Sequence, residues 1–595
     1  MEELKSVDTL SVTTDLWSDR QLNSYLCLTG HYLNSQSKLD AQVLSFSTFA
    51  ERHTSEAISR TIKTELKRLQ VYEKVHTITC DGASNVRKSF QTLKPKRIHC
   101  LAHKLHLTVC NALCLWVNQN ASSSATNDEE DERTDSRNST STTNNQSNTT
   151  FEMATESEEA IAVADDDNHN VEEEEEEENS SDNNNDDDDD NGDVEGNGED
   201  SSYDYSSMEE NFDTHADPNA TPDAVHDNWE EGVVVDRSSI ACIEQYTISQ
   251  AIQKCRGLVK TINKSSILSS FVSYYKTKTN VKNSLIIDCK SRWSSTHRLI
   301  QSILLHKQII GRQYAEKYDL NLTNKQLTKL SKFELNRQEW EILDQTEKIL
   351  LSFAEATAMI SGKTYSTIGL GYLAITSIKE TLEERTGNRE ADQLKSLLYD
   401  QLTHYFENDS DQYELLKHHA FFDPLGYGIL DRRDRTKIER EIRDLHKEQT
   451  LSTANTTSSN VVSTPTPIRR AKPTSLQRFL ATVGKNQSYT NKEDTTLSIT
   501  NELSTYRILA LEEFSEVISE QKEYDPFMFW RLHETKLKFL SNLARKYLIV
   551  PCTSVLSEST FSIASYIGRK ERNRLTPENL CILVFLKDKM DEQMT

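Results

Sequence analysis

The chain has 595 residues and a formal net charge of −26, and this length predicts more than one domain. No run approaches the roughly 18 apolar residues that a membrane helix requires, so an integral membrane protein is not predicted. The ten cysteines include no C-x-x-C pair. That pattern is typical of ordinary thiols in a reducing compartment and argues against a disulfide framework.

The acidic charge is concentrated in one segment. Residues 128–236 contain 40 Asp and Glu against two Arg and no Lys, which leaves 66 Lys and Arg against 54 Asp and Glu, a net charge of +12, elsewhere. The global charge is therefore a poor guide to partners. Residues 118–236 are rich in Ser, Asn, Asp and Glu, and we predict a disordered acidic low-complexity insert that is dispensable for folding.

The first part of the chain, residues 1–117, alternates between strand and helix signals. β-Rich runs over residues 9–47 predict three strands, and in the first of them Ser11, Thr13 and Asp15 share one face. The later elements are predicted as a helix at 54–69, a strand at 75–80, a helix at 84–93, a strand at 97–99 and a helix at 101–116.

Helical periodicity dominates the remainder. Residues 237–448 are predicted to form a helical insertion domain. The Ser-, Thr- and Pro-rich residues 449–475 are predicted to be a flexible linker. Residues 476–595 are predicted to complete the insertion, starting with a helix at 476–483, and to contribute a last core helix and a C-terminal region.

Three acidic residues that are far apart in sequence, Asp15, Asp81 and Glu558, each lie in a segment whose pattern suggests one shared metal site. Asp15 lies in the first predicted strand, Asp81 directly follows the strand predicted at 75–80, and Glu558 lies in the predicted last core helix. Cleavage and transfer of a phosphodiester can use two Mg²⁺ ions about 4 Å apart, and Mg²⁺ prefers oxygen ligands such as carboxylates. Three carboxylates on rigid elements suit that chemistry. A simpler interpretation exists for each, because an Asp at a strand end is usually a cap or turn residue. Glu558 could equally be an ordinary carboxylate at a helix N-terminus.

The segments around these acids resemble the DDE core of hAT-superfamily DNA transposases. TCDGASN at residues 79–85 is similar to the family's second-aspartate motif, and SESTFS at 557–562 is similar to its Ser-Glu-Arg-x-Phe-Ser, with Ser559 replacing Arg. The resemblance implies an α/β plus all-α architecture. In it, an RNase H-like mixed sheet, with its first strand parallel to and beside its fourth, is interrupted by a large helical insertion. The resemblance also implies that the three acids are catalytic and bind Mg²⁺ or Mn²⁺.

Two further motifs match the family. CLAHKLHL at residues 100–107 resembles its Cys-x-x-His helix, and SRWSS at 291–295 resembles the Arg-Trp motif of its helical insertion. The implied DNA-binding residues are Cys100, His103, Arg292 and Trp293.

Other interpretations of these two motifs stay open. A Trp such as Trp293 is most often a core aromatic residue. Cys100 and His103, with His106 and Cys110 nearby, could suggest zinc, although a single helix cannot easily aim all four at one ion. A packing or DNA-end role is the favoured interpretation for that helix.

The C-terminal stretch, from Asp525 to Lys587, resembles the hAT C-terminal dimerisation region. Thr576 is placed to cap a helix and Pro577 fits its first turn. The run 580–586 is apolar on every face, which predicts burial all round. The resemblance implies a homodimer or higher homo-oligomer in which a partner covers one side. The predicted dimerisation residues are Tyr547, Leu548, Ile549, Leu580, Leu583, Val584 and Phe585.

Two classes of function remain open. The first is a nuclear hAT-type transposase that cleaves and transfers DNA strands, acting on transposon ends or a host site. The second is a domesticated, non-catalytic nuclear factor that associates with DNA and dimerises. The three acids favour the first class. Ser559, the acidic insert and the lack of the N-terminal BED zinc finger that active relatives usually carry favour the second.

Overall fold

The computed structural model describes residues 4, 7–19, 21–118, 232–456, 499–520, 524–568 and 575–594. Most of the predicted acidic insert, most of the predicted linker and the predicted helix at 476–483 lie outside the described residues, and nothing further is said of their structure.

A mixed five-stranded sheet organises the first part of the chain. Its spatial order is β3-β2-β1-β4-β5, with β1 antiparallel to β2 and parallel to β4. The predicted placement of the first strand beside and parallel to the fourth is therefore confirmed. The strands are β1 (Leu10–Ser18), β2 (Ser24–Leu33), β3 (Leu39–Thr48), β4 (Val75–Cys80) and β5 (Lys96–His99).

Three helices connect or follow these strands: α1 (Ser55–Arg68), α2 (Ser84–Ser89) and α3 (Leu101–Ala112). Thr54 begins α1, since its hydroxyl accepts a hydrogen bond from the Ala57 N–H at 3.3 Å. The apolar stripe of α1, which includes Ile58, Ile62 and Leu66, then packs on one face of the sheet.

The predicted bounds of α3 and of the acidic insert need correction. The helix predicted at 101–116 ends at Ala112, and β6 (Trp116–Asn118) follows it and pairs in parallel with β7 (Val234–Asp236). The insert predicted to end at residue 236 therefore ends earlier. The physical reason is the short apolar run 233–235, whose first residue, Val233, is fully buried.

The remainder is helical. Helix α14 extends to Thr456, so the first residues of the linker predicted at 449–475 are helical instead. The helices before residue 457 are α4 (Ile243–Asn263), α5 (Ser266–Thr279), α6 (Trp293–Leu305), α7 (Lys307–Ala315), α8 (Asn324–Lys332), α9 (Arg337–Ile360), α10 (Ile368–Glu383), α11 (Arg389–Phe406), α12 (Ser410–Ala420), α13 (Pro424–Ile429) and α14 (Arg432–Thr456).

Five C-terminal helices follow: α15 (Ile499–Glu520), α16 (Pro526–His533), α17 (Lys538–Leu548), α18 (Val555–Ile567) and α19 (Pro577–Met594). The helical core includes Leu101 and Leu105 of α3, so the helical part and the end of the sheet region share one apolar interior. Within the described ranges, no helix combines the length and the hydropathy needed to cross a bilayer.

Helices α18 and α19 cover the second face of the sheet. Phe561 and Val584 join Trp17, Tyr25 and Cys27 in one apolar cluster, and the rings of Trp17 and Phe561 stack with centroids 5.8 Å apart. This cluster brings the C-terminal part of the chain onto the strand that carries Asp15.

Candidate active site

Asp15 of β1 and Asp81, the residue that directly follows β4, lie at the same level of two neighbouring parallel strands. Thr13 of β1 pairs with Thr79 of β4, and each acid is two residues further along. Because side chains alternate with a period of two, both carboxylates lie on the face that carries Thr13 and Thr79. Both are buried. The Asp15 carboxylate accepts a hydrogen bond from the Leu16 N–H at 2.8 Å, and that of Asp81 from the Ala83 N–H at 3.2 Å.

Hydroxyl groups bring Glu558 to the same face. Thr13 Oγ1 lies 3.0 Å from Ser557 Oγ in α18, and Thr79 Oγ1 donates to the Pro551 carbonyl at 2.7 Å. Glu558 directly follows Ser557 and lies in the first turn of α18, where the helix dipole favours a carboxylate. A residue more than 470 positions after Asp81 is thereby set beside β1 and β4.

The three acids affect the pKa of two buried cysteine thiols nearby. Burial raises the pKa of the Cys100 thiol to about 12, and the Glu558 carboxylate raises it further. Burial also raises the pKa of Cys80, with added contributions from Asp81 and Asp15. The Cys100 N–H donates to the Cys80 carbonyl at 2.8 Å. The backbones of Cys80 and Cys100 are thus adjacent, and each thiol lies within electrostatic range of at least one of the three carboxylates.

We call the region formed by Asp15, Asp81 and the first turn of α18 the corner. Its three carboxylates are oxygen ligands of the kind that Mg²⁺ and Mn²⁺ prefer. In the arrangement seen here, however, no group of three or more His, Cys, Asp or Glu side chains within the described ranges is placed to hold a metal ion. Cys100, His103, His106 and Cys110, for which zinc binding was an alternative interpretation, are likewise not placed to hold a metal ion in the part of the chain that the structure describes.

The residues of the Cys-x-x-His motif are interior groups. Cys100 Sγ accepts a hydrogen bond from the Ser554 N–H at 3.3 Å, which fixes the start of α18. His103 is buried, and burial holds its pKa well below the ordinary value, so its ring is neutral. Both side chains therefore shape the corner from within.

The Arg-Trp motif meets the same corner from the helical part. The Trp293 N–H donates to His106 Nδ1 at 3.1 Å, and the Trp293 ring lies in the core against Phe353. The neighbouring Arg292 reaches out of this core and donates from Nη2 to Ser562 Oγ at 3.4 Å. Ser562 is one turn beyond Glu558, so Arg292 places a positive charge on the helix of the third acid.

Sequence reasoning missed a partly buried ionic network beside the turn that follows Asp81. Asp409 Oδ2 accepts a hydrogen bond from Lys104 Nζ at 3.0 Å and lies 3.6 Å from His99 Nδ1. The ring of His99 lies against Gly82, where an added Cβ would come within 2.5 Å of Nε2. Gly82 is thus needed for close approach. No pattern in the chain links Asp409 to a turn more than 300 residues earlier.

The predicted dimerisation residues separate into two groups. Leu548 and Ile549 lie in the core of their own chain, and Tyr547 stacks on Phe422 with centroids 4.8 Å apart. This subunit covers them itself, because α17 packs into the helical core. That these three residues take part in the contact with a partner therefore stays a prediction.

The C-terminal helix is two-sided. Leu580 and Val584 of α19 are buried against the sheet, whereas Leu583 and Phe585 are 38% and 37% exposed. The body of the chain therefore covers one side of α19, as predicted, and burial of the other side by a partner stays a prediction. The outer side also exposes Ile582, Leu586 and Met590.

Three family models match this chain. The ZBED1 RNase-like domain matches residues 13–131, the ZBED1 RNase-like helical domain matches residues 239–347, and the hAT family C-terminal dimerisation region matches residues 509–590. Asp15 and Asp81, the Arg-Trp motif and Glu558 fall in these three matched ranges in turn.

Curated proteins with similar sequences include plant proteins. A Zea mays protein whose name describes it as an AC transposase is 20% identical over 350 residues, which are 57% of this chain and 41% of that protein. The zinc finger BED domain-containing protein RICESLEEPER 2 of Oryza sativa subsp. japonica is 32% identical over 73 residues, 12% of this chain and 10% of that protein. The chain thus spans less than half the length of each of these two relatives.

Proposed function

Because this chain is a transposase-like protein of the hAT family, we propose that it cleaves and joins DNA strands with Asp15, Asp81 and Glu558. One observation carries the proposal. Asp15 in β1 and Asp81 directly after the parallel strand β4 lie at the same level, on the face against which the helix of Glu558 packs. The proposed substrate is the phosphodiester of a transposon end or a host site, and the proposed compartment is the nucleus.

In this proposal Asp15, Asp81 and Glu558 would hold Mg²⁺ or Mn²⁺ after their side chains converge on one site, a convergence not present among the described residues. The bound ions would activate the attacking oxygen and stabilise the leaving oxygen in an in-line displacement. The chain itself contributes rigidity, since the strand pairing fixes Asp15 and Asp81 and the Thr13–Ser557 contact fixes α18. No nucleophilic side chain is required, because water or a DNA hydroxyl attacks phosphorus.

Among the proposed DNA-binding residues, Arg292 is best placed for direct contact. Its side chain is only partly buried and lies beside α18, and a guanidinium pairs well with a phosphate. Trp293, Cys100 and His103 are buried. We propose that they serve DNA binding by holding the corner in shape, and that base contact by Trp293 would need its ring to leave the core.

Metal binding by the purified chain tests the catalytic proposal. Mn²⁺ titration followed by calorimetry is expected to show binding to the wild type and at least a tenfold weaker affinity for Asp81→Asn. The matched control is Asp344→Asn, which removes an exposed carboxylate of a helical ion pair and should bind Mn²⁺ as the wild type does. Equal affinity of the wild type and Asp81→Asn would show that Asp81 is not a ligand.

A second candidate function is a non-catalytic nuclear factor that binds DNA and self-associates. Ser559 favours it, since this residue stands where the family motif has Arg, and its hydroxyl only donates to the Val555 carbonyl at 3.0 Å within α18. This candidate predicts DNA binding without nicking of supercoiled DNA in Mn²⁺. Nicking that disappears in Glu558→Gln and persists in Asp344→Asn would exclude it.

Self-association is part of both candidates. The matched dimerisation region includes α19, and we propose that the outer side of this helix meets a second copy of the chain. The exposed Ile582, Leu586 and Met590 would form the apolar centre of that contact.

A further inference from the structure

The first half of the helical part is strongly basic. Residues 254–337 contain 17 Lys and Arg against four Asp and Glu, a net charge of +13, whereas residues 338–456 contain 14 against 22, a net of −8. All of these residues are described, and the two stretches are consecutive. The difference is therefore a property of one group of helices, α4 to α8 with their loops, and not an average over the chain.

The carboxylates of this basic half do little to offset the charge at its surface. Asp288 is buried and pairs with Arg256 at 2.7 Å. Glu316 pairs with Arg312 at 2.7 Å and Glu334 with Lys317 at 3.3 Å. Each of these three acids thus pairs with one of the cations. The Arg312–Glu316 pair is largely exposed, so it is weak and leaves Arg312 able to meet another anion. The net charge of +13 therefore sets the sign of the surface field.

Two of the cations lie over one aromatic ring, that of Tyr275 in α5, and two more lie on the same helix end and the loop after it. The Arg312 guanidinium of α7 lies 4.4 Å from the ring centroid, and Lys278 Nζ lies 5.9 Å from it. Lys276 Nζ donates to Ser284 Oγ at 2.9 Å, which folds the loop carrying Lys282 back along α5. We call Lys276, Lys278, Lys282 and Arg312 the Tyr275 face.

The residues between these cations are polar. Thr277, Thr279, Asn280 and Asn283 are exposed beside them, and Asn280 ends α5 in the left-handed conformation with φ 57°. Beside them the aromatic ring of Tyr274 is exposed and packs edge-on against Tyr275, whereas a protein partner is normally held by a broader apolar centre with a polar rim. A row of flexible cations without such a centre fits a regular polyanion instead, and duplex DNA carries one charge about every 1.7 Å along its axis.

We propose that the Tyr275 face binds the sugar–phosphate backbone of duplex DNA without reading its sequence. The inference rests on DNA being the substrate in the proposed function, and it adds a second, electrostatic contact outside the corner of the three carboxylates.

The salt dependence of DNA binding tests the proposal. Fluorescence anisotropy with the full chain and a 30-base-pair duplex of arbitrary sequence, in EDTA, gives the slope of log K against log salt. Each phosphate contact contributes about 0.9 to that slope, so the triple variant Lys278→Gln, Lys282→Gln, Arg312→Gln is expected to lower its magnitude by about 2 to 3. The matched control is Lys363→Gln, Lys437→Gln, Lys447→Gln, three exposed cations of the acidic half.

The expected result is a lower slope for the Tyr275-face variant and an unchanged slope for the control. An equal slope in the wild type and the Tyr275-face variant, or an equal loss in both variants, would overturn the assignment. Competition by polyglutamate of matched charge that equals competition by duplex would also overturn it, in favour of an acidic polypeptide. Because EDTA removes divalent ions, failure here is distinguishable from failure of the metal site, which the Mn²⁺ titration measures separately.

Discussion

The two faces of the five-stranded sheet are built in different ways. One face is covered by α1, so that Ile58, Ile62 and Leu66 pack on strands within 70 residues of them in the chain. The other face is covered by α18 and α19, whose Phe561 and Val584 pack on Trp17, Tyr25 and Cys27 from more than 500 residues away. We refer to these as the local face and the distant face.

The candidate site belongs to the distant face. Asp15 shares that face with Thr13, and Glu558 reaches it through α18. The local face can form as soon as its short loops close, whereas the distant face must bring together the two ends of the chain. Loop closure costs more entropy as the loop lengthens. The separation implies that the local face is the scaffold, and that the site exists only after the distant helices dock.

The largest loss of stability is expected from removing the aromatic ring of Phe561 from the distant face. Phe561→Ala should cost about 3–5 kcal/mol of docking free energy for α18 and α19 and weaken Mn²⁺ binding, because Glu558 moves with α18. Limited proteolysis should release C-terminal fragments while residues 10–99 stay protected. Ile58→Ala, on the local face, should instead lower the stability of the whole sheet. If both variants gave the same proteolytic pattern, the two faces would not differ in how they contribute to stability.

The second largest loss of stability is expected at low pH, through His31 in the distant face. His31 lies on this face, 3.4 Å from Thr13 Oγ1, and burial lowers its pKa to about 3. The unfolded state, with a pKa near 6.5, then binds more protons between those two values, so stability is lost as pH falls below about 6.5. The loss is about 1.4 kcal/mol per pH unit, or about 2 kcal/mol at pH 5. Urea unfolding of wild type and His31→Gln from pH 7 to 5 should show a flatter dependence in the variant.

The outer side of α19 should respond differently from its inner side. Leu583→Asp with Phe585→Asp changes two partly exposed residues, so the folded chain should persist while self-association weakens at least about tenfold. Each buried Leu or Phe in such a contact is worth about 1.5–3 kcal/mol. Val584→Asp, which places a charge in the distant face, should instead undock α19. Sedimentation velocity and circular dichroism separate the two outcomes, and a wild-type chain that is monomeric at micromolar concentration would contradict the dimer proposal.

The smallest effects should come from two matched helix caps. Thr54 caps α1 and Thr576 caps α19, each accepting a backbone N–H at 3.3 Å. Replacing either by Ala should cost about 1 kcal/mol. Thr54→Ala should lower the midpoint of global unfolding, and Thr576→Ala should only increase hydrogen exchange in α19. An identical global shift in both variants would show that the two faces unfold as one unit.

The sequence by itself determined much of the local architecture. Strand alternation and helix spacing give the order of the elements in residues 10–112, since periods of two and 3.6 depend on neighbouring residues. The same local logic gives the Thr576 cap and the start of α19 at Pro577. The resemblance of short motifs to the hAT family added Asp15, Asp81 and Glu558 as candidates.

Only the tertiary structure decided which of these residues meet. It placed Glu558 beside the two strands, joined Asp409 to the turn after Asp81, buried Trp293, and covered one side of α19. These features depend on contacts between residues hundreds of positions apart, which a local sequence pattern cannot predict. The apolar run of α19 illustrates the reason: hydrophobicity on every side predicts burial, but only packing shows which side this chain covers and which it leaves exposed.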